Sequence, residues 1–314
     1  GYMIDLTQMS GGVADLQGST IALKSISNKT YNPTDPLRVI NGKIIGMTLN
    51  TVQNIIFDGV EMENTISNGA LLAANSKNIH IVNAKVSGDK NTTPQGQKKH
   101  LLTFRNCDGF SIKSSELSHS TVSLSMLQSR NGAVELNKFH DQAVDAIHID
   151  ECQKLKILNN YCTKFVPVAV GGNATHPDFI QFMQQAVGAV CDDIEIAYNL
   201  FVRGSGTKAQ GIFIRPYSGF PAPTRLKIVG NAMLGGSPNG IALTGDGYAT
   251  DNIVISYPGQ LSRIGSAGFK GIISRNRATK FVNCGADPSN TLIPYMDEAA
   301  ALKYIKDIRS YYAD

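Results

Sequence analysis

Three segments of the chain concentrate side chains that can move protons or steady a developing charge: DAIHID (145–150), THPDFIQF (175–182) and QGIFIRPYSGF (210–220). They supply Asp145, His148, Asp150, His176, Asp178 and Arg215 as candidate catalytic residues, with Gln181, Tyr217 and Phe220 as candidate substrate-binding residues. Carboxyls and imidazoles act as general acids and bases, and a guanidinium stabilises negative charge as it forms. Asp145, Asp150 and Asp178 could also cage a calcium ion, which makes calcium an optional cofactor here.

Each residue has a plainer role beside the chemical one. Asp145 and Asp178 suit the turn before a strand, and Asp150 could pair with Lys154 or Lys156 at the surface, where such pairs contribute little. His148 could stand idle on an exposed strand, Gln181 could join a ladder of polar side chains, and His176 could order the loop before Pro177. Arg215 before Pro216 could be a surface charge, and Tyr217 and Phe220 could pack their own loop. The chemical reading therefore needs a fold that brings residues about thirty positions apart side by side.

A repeat in the sequence provides one. The stretches QNIIFDGVEM (53–62), KNIHIVNAKV (77–86), DGFSIKSSEL (108–117), QKLKILNNYC (153–162), DDIEIAYNLF (192–201) and TRLKIVGNAM (224–233) share an apolar-x-apolar core followed by a small residue or Asn and another apolar pair. Their first apolar residues are Ile55, Ile79, Phe110, Leu155, Ile194 and Leu226, continued by Ile253, with Val134 as a degenerate copy between Phe110 and Leu155; the spacings run from 21 to 39 residues. Alternating apolar residues mark strands with one face inward. A variable period with insertions fits coils of a β-solenoid, whose turns tolerate added length. Asn160, Asn199 and Asn231 fall at one place after the strand, the position expected of a stacked asparagine ladder.

A second strand series lies between the first: LLTF (101–104), TVSLSM (121–126), DAIHID (145–150), DFIQFM (178–183), QGIFIR (210–215) and NGIALT (239–244). Aligned on the inward residues Ile147, Ile180, Ile212 and Ile241, this series sets Asp145 beside Asp178 and His148 beside Gln181, with Arg215 two rungs from Asp150. ADLQGSTIAL (14–23) reads as the opening strand, and MDEAAALKYIKDIRSYY (296–312) is the one amphipathic helix, placed to cover the terminal coil. The expected fold is all-β: a single-stranded right-handed parallel β-helix over residues 1–285, followed by a C-terminal helical cap over 286–314.

Composition agrees. Among 314 residues there are 30 Gly and no Trp, and the hydrophobic fraction of 42% suffices for an extended core. No apolar run approaches the roughly 20 residues of a membrane helix, so no membrane partner is expected. The net charge of +4 is dispersed, without a basic helix, which speaks against nucleic acid. Five cysteines form no CxxC pair and no metal-ligand spacing, and read as buried thiols.

With these repeats the chain resembles the pectate-lyase superfamily of β-helix proteins over roughly residues 14 to 285. That superfamily includes polysaccharide lyases, polygalacturonase-like hydrolases, uronan epimerases and phage tailspike depolymerases. The resemblance implies a groove along one strand face that takes an acidic polysaccharide, a location that is extracellular or on a virion, and an association of three chains as in tailspikes. In the lyase reaction His148 or His176 would remove the proton beside the uronate carboxylate, with Arg215 neutralising the charge. In the hydrolase reaction two of the aspartates would flank the bond. The polygalacturonase strings NTD, DD, GHG and RIK are not met, since VDA and HPD supply single carboxylates and IRP stands for RIK; the DPHD string of the epimerases is also missing. Imidazoles and Arg sharing one patch with the acids favour β-elimination over glycoside hydrolysis, with a non-catalytic glycan-binding adhesin as the third reading.

Overall fold

The computed structural model describes residues 5–65, 69–97, 99–166, 169–170, 173–174, 176–183, 190–216 and 219–308. Short strands follow one another along the chain and pair with their counterparts one coil away, almost entirely in parallel. Among the described residues, antiparallel pairing is confined to Ala169–Val170 with Asn173–Ala174 and to the bridge between Tyr257 and Gln260. Parallel strands joined by crossings of the same hand wind right-handedly, so the rod is a right-handed parallel β-helix.

Each coil carries three strands, one more than the two series visible in the sequence. The first sheet stacks Leu71–Ala74, Leu102–Arg105, the ends of Glu116–Leu127 and Lys138–Asp150, Asp178–Phe182, Gln210–Ile214, Asn239–Leu243 and Arg263–Ser266. The second runs from Lys77–Val82 through Asp108–Lys113, Arg130–Glu135, Gln153–Leu158 and Asp192–Ala197 to Leu226–Val229 and Gly247–Thr250. The third includes Tyr161–Thr163, Leu200–Val202, Ala232–Leu234, Ile253–Ile255 and Arg277–Ala278. Each ten-residue repeat is therefore two strands broken by a corner. Its apolar-x-apolar half belongs to the second sheet and its closing apolar pair to the third.

The column of Ile55, Ile79, Phe110, Leu155 and Ile194 holds in register. Two assignments shift. Val134 stacks between Ile112 and Ile157, and Gly132 takes the place in line with Phe110. A Cβ at Gly132 would lie 2.2 Å from Cζ of Phe110, so the bulky ring below excludes any side chain above it. Ile253 belongs to the third sheet, opposite Ala232, while Gly247 pairs with Leu226.

The corner between second and third sheets is built on an asparagine ladder longer than the three residues singled out above. Asn137, Asn160, Asn199, Asn231, Asn252, Asn276 and Asn290 stack, each Nδ2 donating to the Oδ1 of the next at 2.9–3.1 Å. The same Oδ1 atoms accept the backbone N–H of the preceding rung. The residue before each ladder Asn up to Asn276 is left-handed, with φ between 53° and 65° at Leu136, Asn159, Tyr198, Gly230, Asp251 and Arg275. That sharp corner leaves buried backbone groups which the side-chain amides satisfy.

The interior is one continuous apolar column that includes Phe57, Phe104, Phe110, Phe139, Phe165, Phe179 and Phe201. Cys107, Cys152, Cys162 and Cys191 are buried free thiols. Strand pairing reaches Thr291–Leu292, and the helix Glu298–Ile308 follows. Ala301 and Ile305 rest on Val202, Leu234 and Ile255, the outward row of the third sheet, so the helix caps the flank of the last coils. Among the described residues no helix is long and apolar enough to cross a membrane.

Candidate active site

The first sheet sets Asp145 opposite Asp178, and His148 opposite Gln181. Above them, Asp178 faces Gln210 and Gln181 faces Phe213. Asp178 begins its strand at a corner. Phe179 and Ile180 both belong to the apolar interior, and the Phe179 ring packs 6.4 Å from Phe139 and 6.5 Å from Phe201. Asp178 is buried beside them, with Asp145 in the same position one rung below and Val122 one rung below that.

The two residues are tied through the backbone. Asp145 Oδ1 accepts the backbone N–H of Asp178 at 3.1 Å, and His176 Nδ1 lies 3.4 Å from Asp178 Oδ2. Gln210 Nε2 is 2.9 Å from the same imidazole nitrogen, and Asn239 Nδ2 donates to Gln210 Oε1 at 2.6 Å. One nitrogen cannot both accept from Gln210 and donate to Asp178. With Nδ1 unprotonated the ring accepts from Gln210, and with Nδ1 protonated, in the neutral tautomer or the imidazolium, it donates to Asp178.

Burial dominates the electrostatics. Asp145 is 2% exposed and Asp178 0%, while the His176 side chain beside them is 66% exposed. Desolvation, followed by the neighbouring Asp178 charge, holds Asp145 well above the usual carboxyl range. Desolvation lifts Asp178 to about 6, opposed by its bond to His176. His176 is raised in turn, chiefly by that bond to Asp178. Asp178 Oδ1 is buried without a partner among the described residues. Both carboxyls therefore hold their protons to higher pH than a free aspartate does.

The remaining candidates lie farther along. His148 is half-buried in the middle row of the outer face, between Ser125 and Gln181; Gln181 is 9% exposed. Asp150 is half-buried at the end of its strand and Arg215 is exposed just beyond Ile214. Arg215 stands five residues along from Gln210, the rung-mate of Asp178, or roughly 16 Å at about 3.3 Å per residue. It is also two rungs and two residues from His148, roughly 12 Å. The six candidate catalytic residues thus divide into a carboxyl–imidazole cluster at the start of the strands and Asp150 with Arg215 at their ends, with His148 between. Phe220 is half-buried in the loop after Pro216, and Tyr217 lies outside the described residues.

Three neighbours of the site were not among the sequence candidates. Gln210 and Asn239 continue the polar column above Asp178, and their equivalent position in the aligned strands was the signal. His100, directly before the LLTF strand, brings its ring to 6.3 Å from that of His148. Among the described residues no group of three or more His, Cys, Asp or Glu side chains is arranged to hold a metal ion. Asp150 stands at the far end of its strand from Asp145, so the three aspartates do not form a calcium cage.

No family model matches the chain, and no curated protein matches it in sequence. Solved structures do resemble it. PfbA, a surface adhesin of Streptococcus pneumoniae, superposes with a TM-score of 0.64 at 12% identity, covering 89% of this chain and 82% of its own. DFA-IIIase from Arthrobacter chlorophenolicus gives 0.52 at 12% identity over 83% of this chain and 68% of its own. The GH136 lacto-N-biosidase from Eubacterium ramulus gives 0.51 at 9% identity, over 88% of this chain and 61% of its own. At such low identity the likeness is one of architecture, and it agrees with the strand pairing: the chain is a right-handed parallel β-helix.

Proposed function

We propose that the protein hydrolyses a glycosidic bond in a carbohydrate chain lying across the outer face of the first sheet. The observation that carries this reading is the Asp145–Asp178 pair, two buried carboxyls on neighbouring rungs, both lifted above their ordinary range beside an exposed histidine. Hydrolysis of an acetal needs one carboxyl that still holds its proton near neutral pH and one that has lost it. Asp145 would supply the first and Asp178, ionised above about 6, the second. A rung spacing of about 4.8 Å is close to the separation of about 5 Å used by enzymes that retain anomeric configuration. His176, exposed beside Asp178, would be the first of these groups to meet the substrate.

The distances favour hydrolysis over β-elimination. An elimination would ask His148 or His176 to take a proton while Arg215 balances the charge, and the register sets Arg215 roughly 12 Å from the first and, through Asp178, roughly 16 Å along the strands from the second. Glycan binding without turnover is the second reading, favoured by the closure of both carboxyls to solvent and in keeping with the adhesin among the structural neighbours. Either role suits an extracellular protein.

Incubation with a panel of neutral and acidic polysaccharides separates the readings. Reducing ends without unsaturated uronate absorbance support hydrolysis, and both signals together indicate elimination. Binding with neither signal establishes the adhesin. Asp178→Asn and Asp145→Asn are expected to lower kcat by at least about a hundredfold, and full activity in both would remove the site.

A further inference from the structure

His148 stands in the middle row of the outer face of the first sheet, between Ser125 and Gln181, with an environment that the acid chemistry does not use. Both of its ring nitrogens are closed to solvent and neither has a partner among the described residues. Buried polar atoms are nearly always satisfied, so such an imidazole calls for a group that completes it. Facing it, tilted by 51° at 6.3 Å, is His100, and the loop that leads to His100 is braced. Its turn Pro94–Gly96 is capped by Thr93, Gln97 Nε2 donates to the carbonyls of Asp89 and Thr92 at 2.7 and 3.1 Å, and His119 Nε2 meets the Thr92 carbonyl at 2.6 Å.

The chemistry of the pair narrows what can sit there. Burial holds both rings in the neutral form, His148 at about 4 with His100 adding to the effect. A neutral imidazole offers one donor and one acceptor, which matches a sugar hydroxyl that both gives and takes a hydrogen bond. Its rung neighbours Ser125 and Gln181 are uncharged as well. A uronate carboxylate would need a cation in this row and would crowd the Asp178 carboxylate beside it.

We infer that His100 and His148, with Ser125 and Gln181, form a subsite for an uncharged sugar residue next to the Asp145–Asp178 pair. The inference deepens the hydrolytic reading and rests on it for the carbohydrate class. It assigns the protein a neutral glycan, where the resemblance of the sequence had implied an acidic one.

The test is calorimetry on the full chain carrying Asp178→Asn, with neutral oligosaccharides derived from glucans, galactans and fructans set against oligogalacturonate and oligomannuronate, at pH 5.5 and 7.5. The expected result is that at least one neutral class binds, with affinity changing less than twofold between the two pH values. His148→Phe and His100→Ala in the same background should each weaken it at least tenfold. His148→Phe removes an unsatisfied polar group, so its Tm should equal or exceed that of the parent, which separates lost binding from lost folding. Binding confined to the uronates, absence of binding by every neutral class, affinity that climbs at pH 5.5 with proton uptake, or unchanged affinity in both histidine variants overturns the subsite. If the neutral sugar binds through the histidines while the wild-type chain leaves it intact, the subsite stands and hydrolysis falls. If the wild type cleaves a sugar with a KM that neither histidine variant alters, hydrolysis stands and the subsite falls.

Discussion

At the scale of single residues, the behaviour of Asp178 follows from its complete burial. Its carboxyl is raised from 3.8 to about 6 in the folded chain, so the folded state binds the proton more tightly than the unfolded one. The stability this provides is fully present below about pH 4 and is lost as pH rises through about 6. Asp178→Asn should therefore melt higher than the wild type at pH 8, and the difference should vanish at pH 4; with no Trp in the chain, circular dichroism is the suitable probe. The same titration should give kcat/KM an acidic limb with a midpoint near 6. His176 favours the ionised form of Asp178, so His176→Gln should move that limb to higher pH. A limb that stays in place would detach His176 from the site. Asp145, Asp178, His148 and Gln181 were legible as rung partners because the inward isoleucines fix the register. The half-burial of His148 and the burial of Gln181 were not legible, since they depend on loops whose path no local pattern specifies.

At the scale of elements, the ladder shows why part of the repeat was easy to read and part was not. Asn160, Asn199 and Asn231 stand out because apolar residues surround them evenly. Asn137, Asn252, Asn276 and Asn290 occupy the same corner behind weaker strands, and the usable signal for the first three was an Asn three residues after the last inward apolar side chain, as in Val134 to Asn137. The third sheet escaped notice for a related reason. Its strands, such as Leu200–Val202 and Ala232–Leu234, are only three residues long and follow the corner without a turn signal of their own. Removing one ladder amide should be costly. Asn199→Ala strips the Ile157 carbonyl and the Asn160 N–H of buried partners, a loss of about 2–6 kcal/mol at about 1–3 kcal/mol per group. Gly132→Ala forces a methyl into the Phe110 ring and should cost about 1–3 kcal/mol, part of which Phe110→Leu in the same chain should restore. A Gly132→Ala protein as stable as the parent in denaturant titration would contradict the packing described.

At the scale of the whole molecule, the rod has no layer structure to close it, and its flank depends on the C-terminal helix. Glu298 accepts both the Gly204 N–H and the Tyr257 hydroxyl at 3.0 Å, tying the helix to coils 94 and 41 residues earlier in the chain. Truncation before Asp297 should bare the row of Val202, Leu234 and Ile255. The shortened chain is expected to melt lower and to self-associate in size-exclusion chromatography, since an exposed apolar strip of this kind invites contact. Retention of a sharp, unshifted peak would show that the helix is dispensable.

The unbroken asparagine stack also bears on how such a rod can change length. Each amide is both the receiver for the rung below and the donor to the rung above, so every member of the series offers the same splice point. A coil duplicated between Asn252 and Asn276 would find its polar partners ready on both sides and would lengthen the molecule without moving Asp145, Asp178 or His148. The same duplication placed between Asn160 and Asn199 would slide Asp178 one storey away from Asp145 and dismantle the carboxyl pair while leaving the fold intact. The region bearing the pair is thus locked in step count, whereas a coil added after Asn252 spares the pair and instead parts the two anchors of Glu298, Gly204 and Tyr257.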